Sequence, residues 1–367
     1  MRNKKSIVCI TGAGMSTESG IPDYRGNKGS YFEGHKPIIH HEFMSSELTR
    51  KRYWARSLLG YSPFSNARPN LGHFALADLE KGGWIGVKLE ESTELKFQSN
   101  SHVLANGTSS WESHLILSGG ERKKLSIITQ NVDILHSKGG LKNVLHLHGR
   151  GDVVRCMSCG VTHDRQYYHD KLWEWNRELI DKSTSTINEK VNRNKENGKT
   201  VLRPDGDAEW TGESYDNLML PPCPHCGVND THSDSHNHTN NHKGVNATVN
   251  DKTNNSQQAF FKTDVVFFGD SIPRYRVHLS NAAIDAADGL LCIGTSLAVH
   301  SAFRLAKRAI GREIPVAILN VGETRVEREG LGISGGGERE IPLVTKIESP
   351  IGETLAELVN MLHNEER

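Results

Sequence analysis

The sequence predicts an α/β protein: a doubly wound parallel sheet with a smaller module clamped by cysteines. Three observations predict it. Short apolar runs that read as strands alternate with segments of helical period, the pattern of a parallel sheet covered on both faces. The first strand runs into a glycine-rich turn, and later strands also end in small or polar residues, where open α/β sheets bind ligands. Four of the six cysteines form two Cys-x-x-Cys pairs.

With 367 residues, the chain has room for one large domain with a satellite, or for two domains. Its 44 basic residues balance 44 acidic ones. No global electrostatic case therefore exists for nucleic acid or an anionic membrane as partner. Hydrophobic residues make up 36% and mean hydropathy is -0.53. The strand-like runs are individually apolar, so the low average is assigned to polar insertions. No window is apolar over the length a membrane span needs. The residues ahead of the first strand are too few for a secretory or organellar targeting segment.

In chain order, residues 6–10 are a β-prone run that feeds Thr11, Gly12, Ala13, Gly14, Met15 and Ser16, then Ser19, Pro22, Asp23, Tyr24, Arg25 and Gly26. Gly12 and Gly14 suit a turn that offers backbone N–H groups to a pyrophosphate. A Gly-x-Gly alone is a weak sign. This run leaves the dehydrogenase fingerprint at Glu18 and Ser19, and Pro22, Asp23 and Arg25 follow as a stiff, charged loop. Residues 49–56 read as a basic amphipathic helix, a solvated face over an aromatic anchor. Residues 69–80 have helical spacing, with Leu71, Phe74, Ala75 and Leu79 on one face and His73 structural.

Residues 85–124 lack periodicity and read as an insertion. Residues 126–129 form a strand leading into Gln130, Asn131, Val132 and Asp133, and 143–147 form another that ends at His148 and Gly149. The polar stretches near 181–200 and 228–259 read as disordered insertions, the second carrying His232, His236, His238 and His242. A helix over 275–288 leads to a strand over 289–293 that ends in Gly294, Thr295 and Ser296. A helix over 301–310 leads to a strand over 316–319 that ends in Asn320, Val321 and Gly322. Residues 352–363 close the chain as an amphipathic helix. The large domain is expected over 1–150 plus 263–367, with a helical part at 30–80, and the small module over 151–262.

Cys156, Cys159, Cys223 and Cys226 are the strongest chemical signal. Without a secretory signal, this spacing favours metal over disulfide. Four thiolates suit a tetrahedral zinc and leave no open position, so the site reads as structural. A redox pair is the rival; it would want a low-pKa cysteine at a helix start, and not two such pairs. Cys9 and Cys292 lie in apolar runs and read as buried small hydrophobes. Asn131 or Asp133 read plainly as a cap for a short helix, and His148-Gly149 as a strand-end turn. Neither reading explains why two neighbouring strand ends both carry polar sets. His146 competes with His148, and strand alternation puts both on one face. The sets at 294–296 and 320–322 also read as plain turns.

The run 11–26, with Thr17, Glu18 and Tyr24, resembles the opening signature of sirtuins, the NAD-dependent protein deacylases. It is most similar to their class II branch, which includes a mitochondrial member. Residues 49–56, 69–80 and 203–207 resemble further segments of that branch, and six motifs stand in family order. The resemblance implies a Rossmann-like NAD-binding domain with a four-cysteine zinc module, and NAD consumed as co-substrate. It implies that Gly12, Ala13, Gly14, Ser16, Ser19, Pro22, Asp23, Tyr24 and Arg25 contact NAD, the part from Pro22 closing over the nicotinamide. Gln130, Asn131, Val132 and Asp133 would line the nicotinamide and ribose pocket. Gly294, Thr295, Ser296, Asn320, Val321 and Gly322 would hold the adenosine half, with Ile351 against adenine.

His148 matches the family's catalytic base, with Asn131 and Asp133 orienting the substrate, and His146 supports it. Val265, Val266, Phe267, Phe268 and Gly269 resemble the loop that pairs with the substrate peptide and lines the acyl-lysine tunnel, and a strand-like 297–299 would flank the peptide opposite. Many sirtuins have proline two residues after Val299; here Ser301 stands there, as in the class II branch.

The implied reaction is attack of an acyl-lysine oxygen on the ribose carbon bearing nicotinamide. A histidine then takes a proton from a ribose hydroxyl. Nicotinamide, O-acyl-ADP-ribose and deacylated lysine are the products. Class II members are often weak on acetyl groups, which keeps longer acyl groups such as lipoyl, and protein mono-ADP-ribosylation, as alternatives. A non-catalytic NAD-binding scaffold is countered by the intact Asn131, Asp133 and His148. A dehydrogenase is countered by Asp23-Tyr24-Arg25 and the cysteine module. The branch implies the mitochondrial matrix, with cytoplasm or nucleus as alternatives. Acyl-lysine proteins are the implied partners; the oligomeric state is not encoded in any motif.

Overall fold

The apolar runs become strands in the expected alternation. β1 (Ile7–Thr11) is followed by a 3-10 helix over Ala13–Ser19, then α1 (His40–Ser45), α2 (Glu47–Ser65) and α3 (Leu71–Lys81). β2 (Val87–Lys88) and β3 (Lys124–Leu125) pair antiparallel as the stem of the first insertion. Next come β4 (Ile127–Thr129), α4 (Leu135–Lys138), β5 (Val144–His146), β6 (Gly149–Cys156), β7 (Thr162–Asp164), α5 (Arg165–Trp175) and β8 (Phe261–Val265). The chain ends with α6 (Arg274–Asp285), β9 (Gly289–Ile293), α7 (His300–Gly311), β10 (Val316–Leu319), α8 (Arg325–Arg328), β11 (Val344–Ile347) and α9 (Ile351–Glu365). This computed structural model describes residues 6–26, 29, 36–89, 124–181, 202–208, 215–226, 259–332 and 342–365. Most of the expected insertions, including His232, His236, His238 and His242, lies outside the described residues.

The main sheet is parallel, in the order β11-β10-β9-β1-β4-β5. β1 is wholly buried, as expected of a central strand covered on both faces. Its residues alternate between two cores. Val8 and Ile10 join Ile128, Cys292 and Ile318 under Phe303, Leu305 and Ala306 of α7 and Ile284 of α6. Ile7 and Cys9 join Ile127, Leu291 and Ile293 under Leu76 and Leu79 of α3 and Leu355 and Val359 of α9. That division makes the sheet doubly wound.

The second sheet, β7-β6-β8, is antiparallel. Its core takes in α1, α2 and α5: Phe43, Trp54, Leu58, Tyr168, Leu172, Phe261 and Phe267 are buried together. The helices at 40–65 thus share their core with the small sheet. Trp54 is the centre of that contact. Its Nε1–H donates to the Phe261 carbonyl at 3.1 Å, and its ring meets Tyr168 with centroids 4.5 Å apart.

Several expectations are corrected. In α3, Leu71 and Phe74 are about half exposed. The buried stripe is Gly72, His73, Ala75, Leu76 and Leu79, because docking against α9 and the sheet selects the neighbouring face of the same period. The basic run in α2 is not all solvated: Arg56 is buried and pairs with Asp207 at 2.5 Å. Residues 297–299 form no strand; Leu297 is buried and holds φ 53 in the left-handed region. β11, α8 and α5 are additions. Among the described residues Cys9 and Cys292 are buried, as expected.

α2 lies against the turn at 203–207, and the approach is close. A Cβ on Gly60 would run into the Gly206 carbonyl and come within 2.8 Å of the Asp207 carbonyl carbon. Both obstacles are backbone and cannot rotate away. Gly60→Ala is expected to lower stability by about 1–3 kcal/mol, in spite of alanine's better helix propensity. Denaturant unfolding of the two chains checks this, and a neutral or stabilising result would mean the helix can move off the turn.

Candidate functional site

The carboxyl ends of β1, β4, β9 and β10 open into one cavity of about 980 Å³. The chain leaves β1 toward β4 on one side and later adds β9 on the other, so the cavity sits where strand order reverses, the usual place for a ligand in such sheets. Of the residues expected at the site, Gly12, Ala13, Gly14, Ser16, Asp23, Tyr24, Arg25, Gln130, Asn131, Val132, Asp133 and His148 line this cavity. So do Val265, Val266, Phe267, Phe268, Gly269, Gly294, Thr295, Ser296, Asn320, Val321 and Gly322. Ser19, Pro22 and Ile351 are not among its lining residues. Ile351 instead stands behind the turn, with its Cδ1 3.0 Å from where a Gly294 Cβ would be.

The loops after β1 and β9 meet backbone to backbone. Gly14 N–H donates to the Gly294 carbonyl at 3.0 Å, and a Cβ on Gly12 would lie 2.7 Å from Thr295 Cβ. The set after β4 holds them. Gln130 Nε2 donates to Thr295 Oγ1 at 2.8 Å, and Asn131 Nδ2 to the Gly12 carbonyl and to Ser16 Oγ, both at 3.1 Å. Asp133 accepts from Ser16 Oγ at 2.9 Å and from Leu135 N–H at 3.0 Å. One Asp133 oxygen thus holds the first residue of α4 and the other fixes the first loop, but the cap position is Ile134 and carries no side-chain bond, so neither Asn131 nor Asp133 is the cap. Burial raises the Asp133 pKa, opposed by its bonds to Leu135 and Ser16. Asn320 Nδ2 donates to the Val321 and Gly322 carbonyls and shapes its own turn.

His148 lies just past β5. Its Nδ1 is 3.1 Å from the Gln130 carbonyl and its Nε2 is 2.7 Å from Ser301 Oγ. Its own carbonyl accepts from Val266 N–H at 2.8 Å. Desolvation by the surrounding walls pushes its pKa down to about 4; the bond to Gln130 opposes this and Arg276 reinforces it. At neutral pH the ring is therefore uncharged and basic at one nitrogen. His146 is fully buried, does not line the cavity, and is pushed down to about 3, first by burial. The chain leaves β5 between the two histidines, so alternation within the strand does not carry His146 into the cavity.

Sequence reasoning missed several cavity residues. Tyr53, Asp205 and Asp207 come from elements far from the strand ends, and Arg304 from the second turn of α7. Burial and then Asp205 push Asp207 up to about 7, while Arg56 opposes them. Ser301 was legible only as a departure at a proline position; its contact with His148, 153 positions away, was not.

The four cysteines come together beside the small sheet. Cys156 Sγ is 3.6 Å from Cys226 Sγ and Cys159 Sγ is 3.7 Å from Cys223 Sγ, and all four sulfurs lie within 4.8 Å of one another. A tetrahedron with bonds of about 2.3 Å has edges of about 3.8 Å, so the donor set fits a zinc ion.

Comparison with known proteins agrees with this geometry. A family model described as the Sir2 family matches residues 12–85 and 87–301. The NAD-dependent protein deacylase Sirt4 of Drosophila melanogaster is 32% identical over 89% of this chain and 77% of its own length. NAD-dependent protein deacetylase 2 of Bradyrhizobium diazoefficiens is 33% identical over 88% of this chain and 86% of its own. Among solved structures, a Sir2 homologue mutant in complex with ADP-ribose superposes with a TM-score of 0.57 at 21% identity, covering 99% of this chain and 94% of that one. A Sir2 complex with a peptide and NAD+ gives 0.56 at 19%, covering 98% and 94%. The fold, the order of motifs and the family match together place this chain in the Sir2 family.

Proposed function

We propose that this chain is an NAD-dependent protein-lysine deacylase that consumes NAD, with one structural zinc on Cys156, Cys159, Cys223 and Cys226. The observation that carries the reading is His148: a neutral imidazole facing a cavity walled by the loop after β1 on one side and by Val265–Gly269 on the other. The donor set suits a dinucleotide. The segment Ala13–Ser19 begins at the cavity without an acidic residue in its first turn, so that turn presents no negative charge to a phosphate. The names of the Drosophila and Bradyrhizobium relatives support NAD and a protein substrate. Bacterial relatives are as similar as Sirt4, so the similarities favour no compartment.

Bound NAD would supply a ribose carbon that loses nicotinamide to an attacking acyl oxygen. The chain's residues do the rest. Asn131 and Asp133 hold the first loop in place through Gly12 and Ser16. Phe267 and Phe268 form an apolar wall, which excludes water that would intercept the reacting carbon. His148 takes a proton from a ribose hydroxyl at Nε2, while its Nδ1–H stays on the Gln130 carbonyl.

Three outcomes are expected. With NAD and a panel of acetyl-, long-acyl- and lipoyl-lysine peptides, the protein releases nicotinamide and acyl-ADP-ribose; no nicotinamide release with any acceptor would overturn the reading. Release without acyl transfer would point to ADP-ribosylation. His148→Ala lowers product formation by about 10²–10⁴-fold and keeps NAD affinity, and a variant as active as the unchanged chain would remove His148 as base. Metal analysis of the purified chain finds one zinc. Cys223→Ser loses it and destabilises the small sheet rather than altering KM in a folded enzyme.

A further inference from the structure

The His148 ring has a partner at each nitrogen. Nδ1 of His148 faces the Gln130 carbonyl, which can only accept, so Nδ1 carries the ring proton in the neutral form. Nε2 is then a bare acceptor with a single in-plane lone pair. That lone pair is occupied: Ser301 Oγ lies 2.7 Å away, and its O–H donates to it. Ser301 stands in the first turn of α7, is partly exposed and lines the same cavity. Its oxygen keeps lone pairs that a second hydroxyl can use. A proton bound for Nε2 must therefore displace Ser301 or pass through it.

We infer that Ser301 is a catalytic residue that relays the proton from the substrate's ribose hydroxyl to His148. This rests on the deacylase reading above. The ribose O–H breaks as a new O–H forms at Ser301, and the former Ser301 O–H breaks as an N–H forms at Nε2. His148 ends as the imidazolium, the ribose oxygen carries the negative charge, and Ser301 ends as it began. No electron pair leaves the system and no oxidant is needed. The new Nε2–H then donates back to Ser301 Oγ.

The test compares Ser301→Ala and Ser301→Thr with the unchanged chain. NMR of histidine labelled in its ring nitrogens, recorded without NAD, reads the Nε2 bond directly. Ser301→Ala is expected to shift the Nε2 resonance of His148 toward a free acceptor, and Ser301→Thr to restore it. With NAD and an acyl-lysine peptide, exchange of labelled nicotinamide reports the step before proton uptake, and acyl-ADP-ribose reports the step after. Ser301→Ala is expected to lose about 10-fold in product formation, with exchange retained, and Ser301→Thr to stay within twofold of the unchanged chain. An alanine variant with full product formation overturns the relay. Loss of exchange and product together, or an Nε2 resonance indifferent to the hydroxyl, also overturns it, since a merely structural serine behaves that way. An unchanged chain that releases no nicotinamide overturns the deacylase reading, and the relay with it. That failure is told apart because it appears before any substitution.

Discussion

The site depends on a backbone-to-backbone contact between two turns. The loop after β1 and the loop after β9 touch so closely that Gly12, Gly14 and Gly294 leave no room for side chains. Gly294 also needs φ 58, a region that favours glycine. Once these turns are in contact, the loop after β4, the neighbour of β1, is bound to both. Gln130 reaches one turn and Asn131 the other, and Asp133 locks Ser16. The carbonyl of the same Gln130 then sets the tautomer of His148. The loop after β1, the cavity wall after β4 and His148 are thus one hydrogen-bonded assembly, built from adjacent strand ends.

The parts of this assembly that lie on central strands were legible in the sequence. β1, β9 and β10 are uninterrupted apolar runs because both faces are buried. The residues just past them were expected at the site, and the structure brings them to it. β11 was not legible: in Val344–Ile347 only Val344 is buried, and Lys346 reaches out to Glu327 at 2.9 Å. An edge strand with polar residues has no periodic signature of its own. The face of α3 was misjudged because two apolar stripes overlap in it, and only tertiary contact chooses between them. Arg56 was misjudged for a related reason. A basic run is usually solvated, but the acidic turn that buries Arg56 lies about 150 residues away and no local pattern announces it.

Asn131 and Asp133 were expected to face the ligand. They line the cavity, and their described bonds also hold the first loop and the start of α4. The histidines show how burial sorts similar residues. His73, His136, His146 and His148 are all pushed below the ordinary histidine pKa, each first by desolvation. They are neutral in the fold at neutral pH. Below the unfolded-state value near 6.5 the unfolded chain takes up protons that the folded chain refuses, so stability falls as pH drops toward 4. His148 alone among them lines the cavity, so it is the one whose neutrality is available for chemistry.

His148 and the cysteine cluster lie at opposite ends of one ladder. β6 starts at Gly149, directly after His148, and ends at Cys156. Gly149 holds φ 85, and a Cβ there would run into the Asp264 carbonyl of β8. The ladder is irregular between Gly149 and Val154, then regular to the pair Cys156–Phe261. At its far end the His148 carbonyl accepts from Val266, the start of the loop that faces the cavity. A one-residue slip between β6 and β8 would turn the side chains of the slipped strand to the other face and carry Val266 away from His148. Anchoring Cys156 therefore fixes register at one end of the ladder, and register at the other end decides whether His148 and the loop from Val266 stand side by side. The cysteine module thus bears on the His148 side of the cavity through register, although none of its four cysteines lines the cavity.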